Sequence, residues 1–158
     1  MSDLEIIIVP EEEIYLAVFE SLNGFFPELV SLCNAQKGEN WIKSFSSVID
    51  SYDEKELKPL PLVRVHLNEV KKKSSDPFVE LGEYFLILEC RFERCAPNFI
   101  AYRYAALIQK WLDNDETISS LIDRFILDEC QVSPLSMTGA PGYPEATYTI
   151  RLYRDRIK

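Results

Sequence analysis

Histidine and the short motifs of catalysis are scarce in this sequence. His66 is the single histidine among 158 residues, and no phosphate-binding glycine loop, GxSxG or HExxH segment occurs. General acid–base and metal catalysis usually need histidine or several carboxylates that converge in a cleft. The acidic pairs Glu89/Glu93 and Asp113/Asp115 are interpreted as a solvated sheet face and an ordinary turn, because neither has the length of a calcium loop. We therefore expect no enzyme activity, no catalytic or cofactor-binding residue, no cofactor and no metal ion.

The cysteines also lack the spacing of a known site. They stand at positions 33, 90, 95 and 130, without a CxxC pair or a neighbouring histidine, which excludes the compact zinc-ribbon and redox motifs. Cys90 and Cys130 fall in predicted strands, where a small buried thiol is expected. A nucleophilic pair between His66 and Cys90 or Cys130 stays an alternative, because such pairs are formed by adjacency in space.

Long apolar runs and an excess of basic residues are missing too. No segment approaches the roughly 18 uncharged apolar residues of a membrane span, and the first residues do not have the pattern of a secretory signal. The net charge is −9, which disfavours nucleic acid and anionic membranes as partners. We expect a cytoplasmic protein. Basic residues concentrate in the run Lys71–Lys73, which is interpreted as a solvated loop tip or a binding site, and in a tail that contains Arg151 and Arg154. The basic tail on an acidic body suits contact between subunits, and a solvated strand end is the alternative.

Apolar residues, in contrast, are plentiful and regularly spaced. Hydrophobic residues make up 47% of the chain and aromatic residues 12%, enough for one core in a single domain over residues 1–158. Apolar residues alternate from Glu83 to Glu93, which predicts a half-buried strand. Pro97 suits the first position of a helix that ends near Trp111. This strand and helix form the predicted scaffold.

The first part of the chain is predicted to be mainly helical. Residues 1–9 are interpreted as an arm or an edge strand, and residues 10–58 as a helical segment. Pro10 followed by three glutamates predicts a helix start, and Asn23-Gly24 predicts a left-handed helix end. Phe25–Cys33 is interpreted as a helical turn or a strand. The spacing of Trp41–Ile49 predicts a second amphipathic helix.

Residues 59–158 are predicted to form the sheet-and-helix core. Leu62–Leu67 is a predicted strand, Asn68–Pro77 a polar connection, and Thr117 the cap of a short helical turn. The last strands are predicted at Phe125–Val132 and Ala146–Arg154, joined through the glycine- and proline-rich Ser133–Pro144. The predicted fold class is α+β, with a mainly antiparallel four-stranded sheet and helices packed on one face.

The order of these elements resembles a known family. A first helix, then PLPLVRVHL, GEYFLILECRFE, AYRYAALIQKWL and a final TYTIRLYR resemble the tail terminator, or tail-completion, proteins of long-tailed bacteriophages and prophages. The resemblance covers residues 59–158 and, loosely, the first helix. It consists of the order of the elements and the periodicity of their hydrophobic residues. The segment Phe25–Lys58 is longer than the family pattern.

The resemblance implies a structural protein of virion assembly. Members form homo-oligomeric rings, commonly hexamers, that cap the tail tube and join it to the head, so the implied partners are further copies, tail-tube proteins and head-connector proteins. DNA would pass through an acidic channel without sequence-specific binding. Contacts are expected at polar loops and the basic tail, and the candidate interface residues are Lys71, Lys72, Lys73, Met137, Tyr143, Arg151 and Arg154. The alternatives are a small acidic cytosolic binding or inhibitor protein and the cysteine-dependent enzyme.

Overall fold

Helices and strands are mixed along the chain in the computed structural model. It describes residues 7, 9–52, 58–76, 79–94, 96–97, 99–132 and 143–157, and for residues 70–76, 79–81 and 155–157 it describes only the backbone. The elements in chain order are α1 (Pro10–Asn23), α2 (Phe25–Lys37), β1 (Ser47–Asp50), β2 (Leu62–Asp76), β3 (Val79–Arg91), α3 (Ile100–Asn114), α4 (Glu116–Leu121), β4 (Arg124–Val132) and β5 (Glu145–Ile157).

The strands form one mixed sheet in the order β1-β2-β3-β5-β4. β1 runs parallel to β2, and the other neighbours are antiparallel. The α+β class is confirmed and the sheet is mainly antiparallel, but the predicted number of four strands was wrong, because β1 adds a fifth, parallel edge strand. This strand lies where the helix Trp41–Ile49 was predicted, and that helix is absent.

The segment before β1 is held by side-chain contacts instead of helical hydrogen bonds. The Asn34 side chain accepts a hydrogen bond from the Ile42 backbone N–H at 3.0 Å and donates one to the Ile42 carbonyl at 2.8 Å. Phe45 stacks on Phe26 of α2, with ring centroids 5.2 Å apart. A short apolar segment fits a helix or a strand by its spacing alone, and here pairing with β2 decides for a strand.

β3 lies in the middle of the sheet and confirms the predicted alternation. The core face carries Tyr84, Leu86, Leu88 and Cys90, all buried, while the residues between them are half-buried on the other face. The core cluster joins this face to α1, α2 and α3. The helices therefore cover one face of the sheet, and the opposite face is left without a helix among the described residues.

The polar connection predicted at Asn68–Pro77 was wrong. β2 continues through Asp76 and pairs with β3 back to Val79, with register shifts on either side of Lys71–Lys73. Backbone hydrogen bonds hold a ladder together whether the side chains are apolar or polar. In this register Lys71 stands opposite Glu83. A long antiparallel pair takes the place of a loop.

The helix ends differ from several predictions. α1 buries a stripe of five residues, Ile14, Ala17, Val18, Ser21 and Leu22. Gly24 is not left-handed (φ −118°); the left-handed glycine is Gly38, which ends α2 at φ 70°. Phe25–Lys37 is one full helix. α3 begins at Ile100, three residues after Pro97, whose carbonyl accepts a hydrogen bond from the Ile100 N–H.

A buried polar network joins α1, α3 and α4. The Trp111 Nε1–H donates to Ser21 Oγ at 2.7 Å, and the Ser21 hydroxyl donates to the Asp115 carboxylate. Asp115 also accepts a hydrogen bond from the Ile118 N–H at 2.8 Å, so it caps α4. The prediction that Thr117 caps this helix was wrong. The capping residue is therefore a buried aspartate whose carboxylate accepts hydrogen bonds inside the core.

Candidate interaction surfaces

The predicted interface residues lie in three separate places. Lys71, Lys72 and Lys73 lie on the distal half of β2, and Arg154 lies near the end of β5. Arg151 lies on the helix-free face of the sheet, and Tyr143 lies at the opposite end of the sheet, just before β5. Met137 falls outside the described residues.

The first place is a three-stranded ribbon formed by the end of β2, the start of β3 and the end of β5. Lys72 and Arg154 both stand opposite Gly82, one on either side of β3, so the basic run and the basic tail meet in one row of the sheet. Arg154 is 15% exposed and lies 4.0 Å from Glu13 at the start of α1. The structure therefore places four of the seven predicted residues in neighbouring strands: Lys71–Lys73 lie in a strand where a polar connection was predicted, and Arg154 lies in its predicted strand.

The second place is the middle of the helix-free sheet face, around Arg151. Its guanidinium lies 3.3 Å from Glu83 on β3, 3.3 Å from Asp128 on β4, and over the Phe85 ring at 5.1 Å. A hydrogen bond with Tyr153 and the neighbouring carboxylates raise the pKa of Arg151. Arg151 therefore ties three strands together across this face.

A second ion cluster lies further along the same face. Arg64 on β2 donates two hydrogen bonds to Glu89 on β3, at 2.9 and 2.5 Å, and His66 Nε2 lies 3.3 Å from the same carboxylate. Arg91 pairs with Glu145 at 2.7 Å. The helix-free face is thus polar and internally paired, which suits a surface that meets water or a polar partner.

The third place, which contains Tyr143, is rich in cations stacked on aromatic rings. Arg94 lies over the Tyr143 ring at 4.6 Å; Lys37 and Arg103 lie over the Trp41 ring at 4.9 and 5.0 Å. Arg103 also lies 5.0 Å from the Phe99 ring. We call this region the basic–aromatic surface; it consists of Lys37, Trp41, Arg94, Phe99, Arg103 and Tyr143.

A cavity of about 150 Å³ opens on the basic–aromatic surface. Its wall combines the backbone and side chains around Trp41 with Phe92 from the end of β3 and Tyr104 from α3. The Arg103 guanidinium donates to the Trp41 carbonyl at 2.6 Å, and the Tyr104 hydroxyl donates to the Lys43 carbonyl, which fixes the rim to α3. A cavity of this size accommodates one small ring or branched aliphatic group.

Sequence reasoning did not find this surface. Trp41 and Arg103 are 62 residues apart, and Trp41 was assigned to a helix that does not form. Only the fold brings the segment around Trp41 against the first turn of α3. Of the six residues of the basic–aromatic surface, only Tyr143 was predicted as a contact residue.

The proposed cysteine–histidine pair is not assembled. His66 lies on the helix-free face of the sheet, whereas Cys90 is buried on the core face and Cys130 lies opposite the buried Tyr148. Burial also raises the pKa of Cys130, which disfavours its thiolate. The sheet itself separates the imidazole from both thiols.

Two further searches cover the described residues only. In that part of the chain, no group of three His, Cys, Asp or Glu side chains is placed to hold a metal ion. No single helix there is long and apolar enough to span a membrane. Only α1 and α2 together reach the length and apolar composition of a membrane span, and this pair is bent by 40°.

Comparison with known proteins adds no family. No protein-family model matches the sequence, and no curated protein matches it either. What the chain does must therefore be inferred from the geometry of its surfaces.

Proposed function

We propose that this chain is a phage or prophage tail-assembly protein that caps the tail tube and joins it to the head. The observation that supports this most is the order of elements between Leu62 and Ile157: two paired strands, two helices, then two paired strands, in a sheet with one helix-free face. This is the order on which the resemblance to tail terminators is based. The added β1 and the full helix α2 account for the longer segment before residue 59.

The mechanism that follows is geometric. A copy docks on the last ring of the tail tube, occupies the position of the next tube subunit, and so stops polymerisation. Copies of the same protein complete a ring, a hexamer as is common in the family that it resembles, and the other side of the ring meets the head connector. We assign the polar helix-free face and the ribbon of β2, β3 and β5 to the contacts with the tail tube and the head connector, because rigid sheets present side chains with fixed spacing.

The charge of the chain supports this role. A ring of subunits with a net charge of −9 would repel the phosphate backbone and let DNA pass without adhesion. Arg64, Arg91 and Arg151 each lie against a carboxylate. Their positive charge is therefore locally neutralised on the sheet face.

The test is deletion of the gene in a phage or prophage that carries it, followed by electron microscopy of the particles. We expect overlong tails or tails without heads, and normal particles after the gene is restored in trans. Tails of normal length joined to heads in the deletion strain would contradict the proposal. The alternative, an acidic inhibitor protein, instead predicts a chain that binds one target protein in pull-downs from cells without structural phage proteins.

A further inference from the structure

Two surfaces at opposite ends of the sheet have complementary chemistry. One is the basic–aromatic surface, whose Phe99 is 55% exposed and whose Tyr143 is 42% exposed. Three of its cations, Lys37, Arg94 and Arg103, have no carboxylate partner among the described residues. Exposed aromatic rings and arginine are the side chains most enriched at the centres of protein interfaces.

The other surface lies at the start of α1 and is acidic and apolar. Ile7 is 89% exposed and Val9 is 43% exposed, directly before a helix whose first turn contains three glutamates. Burial of these aliphatic side chains in an apolar site is favourable, because it removes them from water. Cations beside that site would also attract the glutamates. We call this region the acidic–apolar surface; it consists of Ile7, Val9, Glu11, Glu12 and Glu13.

The register of the sheet places these two surfaces far apart on one molecule. Glu13 lies beside Arg154, which stands opposite Gly82, whereas the cavity begins where β3 ends, just after Arg91. Nine residues of β3 separate the two rows, a length of about 30 Å. The two surfaces of one molecule therefore cannot contact each other, but those of two neighbouring copies can.

We propose that the acidic–apolar surface of one copy docks on the basic–aromatic surface of the next, with Ile7 in the cavity beside Trp41. The volume of about 150 Å³ suits one branched aliphatic side chain. The glutamates that follow then lie near Arg103 and Arg94. Contact between two different surfaces of identical subunits is heterologous, so it generates rings when the rotation closes.

A second copy fits this surface better than nucleic acid does. Glu93 lines the same cavity, and Glu145 lies on the neighbouring strand. Both carboxylates oppose a nucleic acid, which brings a charged phosphate with every nucleotide. A short acidic and apolar segment brings fewer charges and fills the cavity.

The test is sedimentation velocity of the purified full-length protein up to about 1 mM, the range in which weak contacts are populated. We expect reversible association that Ile7→Ser weakens by about tenfold or more, the effect of losing one buried aliphatic side chain. Arg94→Glu should weaken it as well. Both residues are exposed, so folding should be retained, and circular dichroism with thermal unfolding checks that it is.

Two matched variants control for the chemistry of the changes. Leu32→Ser removes another exposed aliphatic side chain, on α2, and Lys110→Glu reverses another exposed cation, two turns along α3 from Arg103. Neither should change the association. A parent protein that stays monomeric over the whole range would overturn the inference, and so would folded Ile7→Ser and Arg94→Glu proteins that associate like the parent. Binding of a thymidine oligonucleotide that competes with self-association at this surface would assign it to nucleic acid instead.

This inference rests on the proposed function only in taking a copy of the same chain as the partner, and the two fail separately. Association with the predicted variant pattern, together with normal tails in the deletion strain, overturns the tail-assembly function and leaves the head-to-tail contact. Overlong tails in the deletion strain, together with association unaffected by Ile7→Ser, overturn the contact and leave the function.

Discussion

At the scale of single residues, the carboxylate of Asp115 is a buried polar group that joins α1 to α4. It is 6% exposed, accepts hydrogen bonds from Ser21 and from the Ile118 N–H, and begins α4. Asp115→Ala removes the cap and leaves buried donors without an acceptor, so we expect a loss of about 2–4 kcal/mol in the free energy of unfolding. Urea denaturation followed by tryptophan fluorescence measures this change.

Asp113→Ala is the matched control for that experiment. Asp113 is exposed on the last turn of α3, two residues earlier, and should change the free energy of unfolding by less than about 0.5 kcal/mol. Equal effects of the two substitutions would contradict a special role for the buried network.

A second residue-scale prediction concerns pH and the contact between α1 and β1. The Tyr15 hydroxyl donates a hydrogen bond to Asp50 at 2.9 Å, and this contact, with those from Ser51, lowers the pKa of Asp50. A lowered folded-state pKa means that the contact stabilises the protein above the unfolded pKa, and that this stability is lost as the pH falls through the folded pKa. Tyr15→Phe should therefore raise the pKa of Asp50 towards its ordinary value.

The titration of the Asp50 carboxyl carbon, followed by NMR from acid to neutral pH, measures that shift. Tyr52→Phe is the control, because its side chain is 95% exposed and only its backbone contacts Asp50. An unchanged Asp50 titration in Tyr15→Phe would rule out the hydroxyl as the main cause of the lowered pKa.

At the scale of elements, the end of α2 depends on the conformation of one glycine. Gly38 has φ 70°, and its N–H and that of Glu39 donate to carbonyls in the last turn of the helix. A Cβ at this position meets open space but is strained by the backbone, so Gly38→Ala should cost about 1–2 kcal/mol of unfolding free energy. Gly38→Asn should cost less, because Asn tolerates this conformation.

Differential scanning calorimetry of the two variants checks this prediction. A melting temperature that falls equally for the Ala and Asn variants would show that contacts, and not backbone strain, determine the choice of glycine. The helix end also matters for the candidate surface, since Lys37 and Trp41 flank it.

At the scale of the whole molecule, the separation of the two complementary surfaces predicts how variants combine. Ile7→Ser leaves the basic–aromatic surface intact, and Arg94→Glu leaves the acidic–apolar surface intact. Mixed in equal amounts at a concentration at which neither variant associates alone, the two variants should form heterodimers and nothing larger, because the remaining intact surfaces can meet only once. Sedimentation velocity of the mixture measures the size, and assemblies larger than a dimer would contradict head-to-tail contact.

Periodicity along the chain was sufficient to predict the elements whose own residues determine them. The alternation in β3, the buried stripe of α1 and the apolar face of α3 are local patterns, because burial of one face imposes a period of two or 3.6 on the residues themselves. The α+β class and the pairing of the last two strands follow from the same patterns.

Only the tertiary structure decided two further features, the strands without a clear apolar pattern and the cavity. β1 is a strand because its backbone pairs with that of β2. The second half of β2 is a strand because it pairs with β3, although its residues are polar. The cavity beside Trp41 exists because α3 packs against a segment 62 residues away. Contacts of this kind depend on partners distant in the sequence, which no local pattern contains.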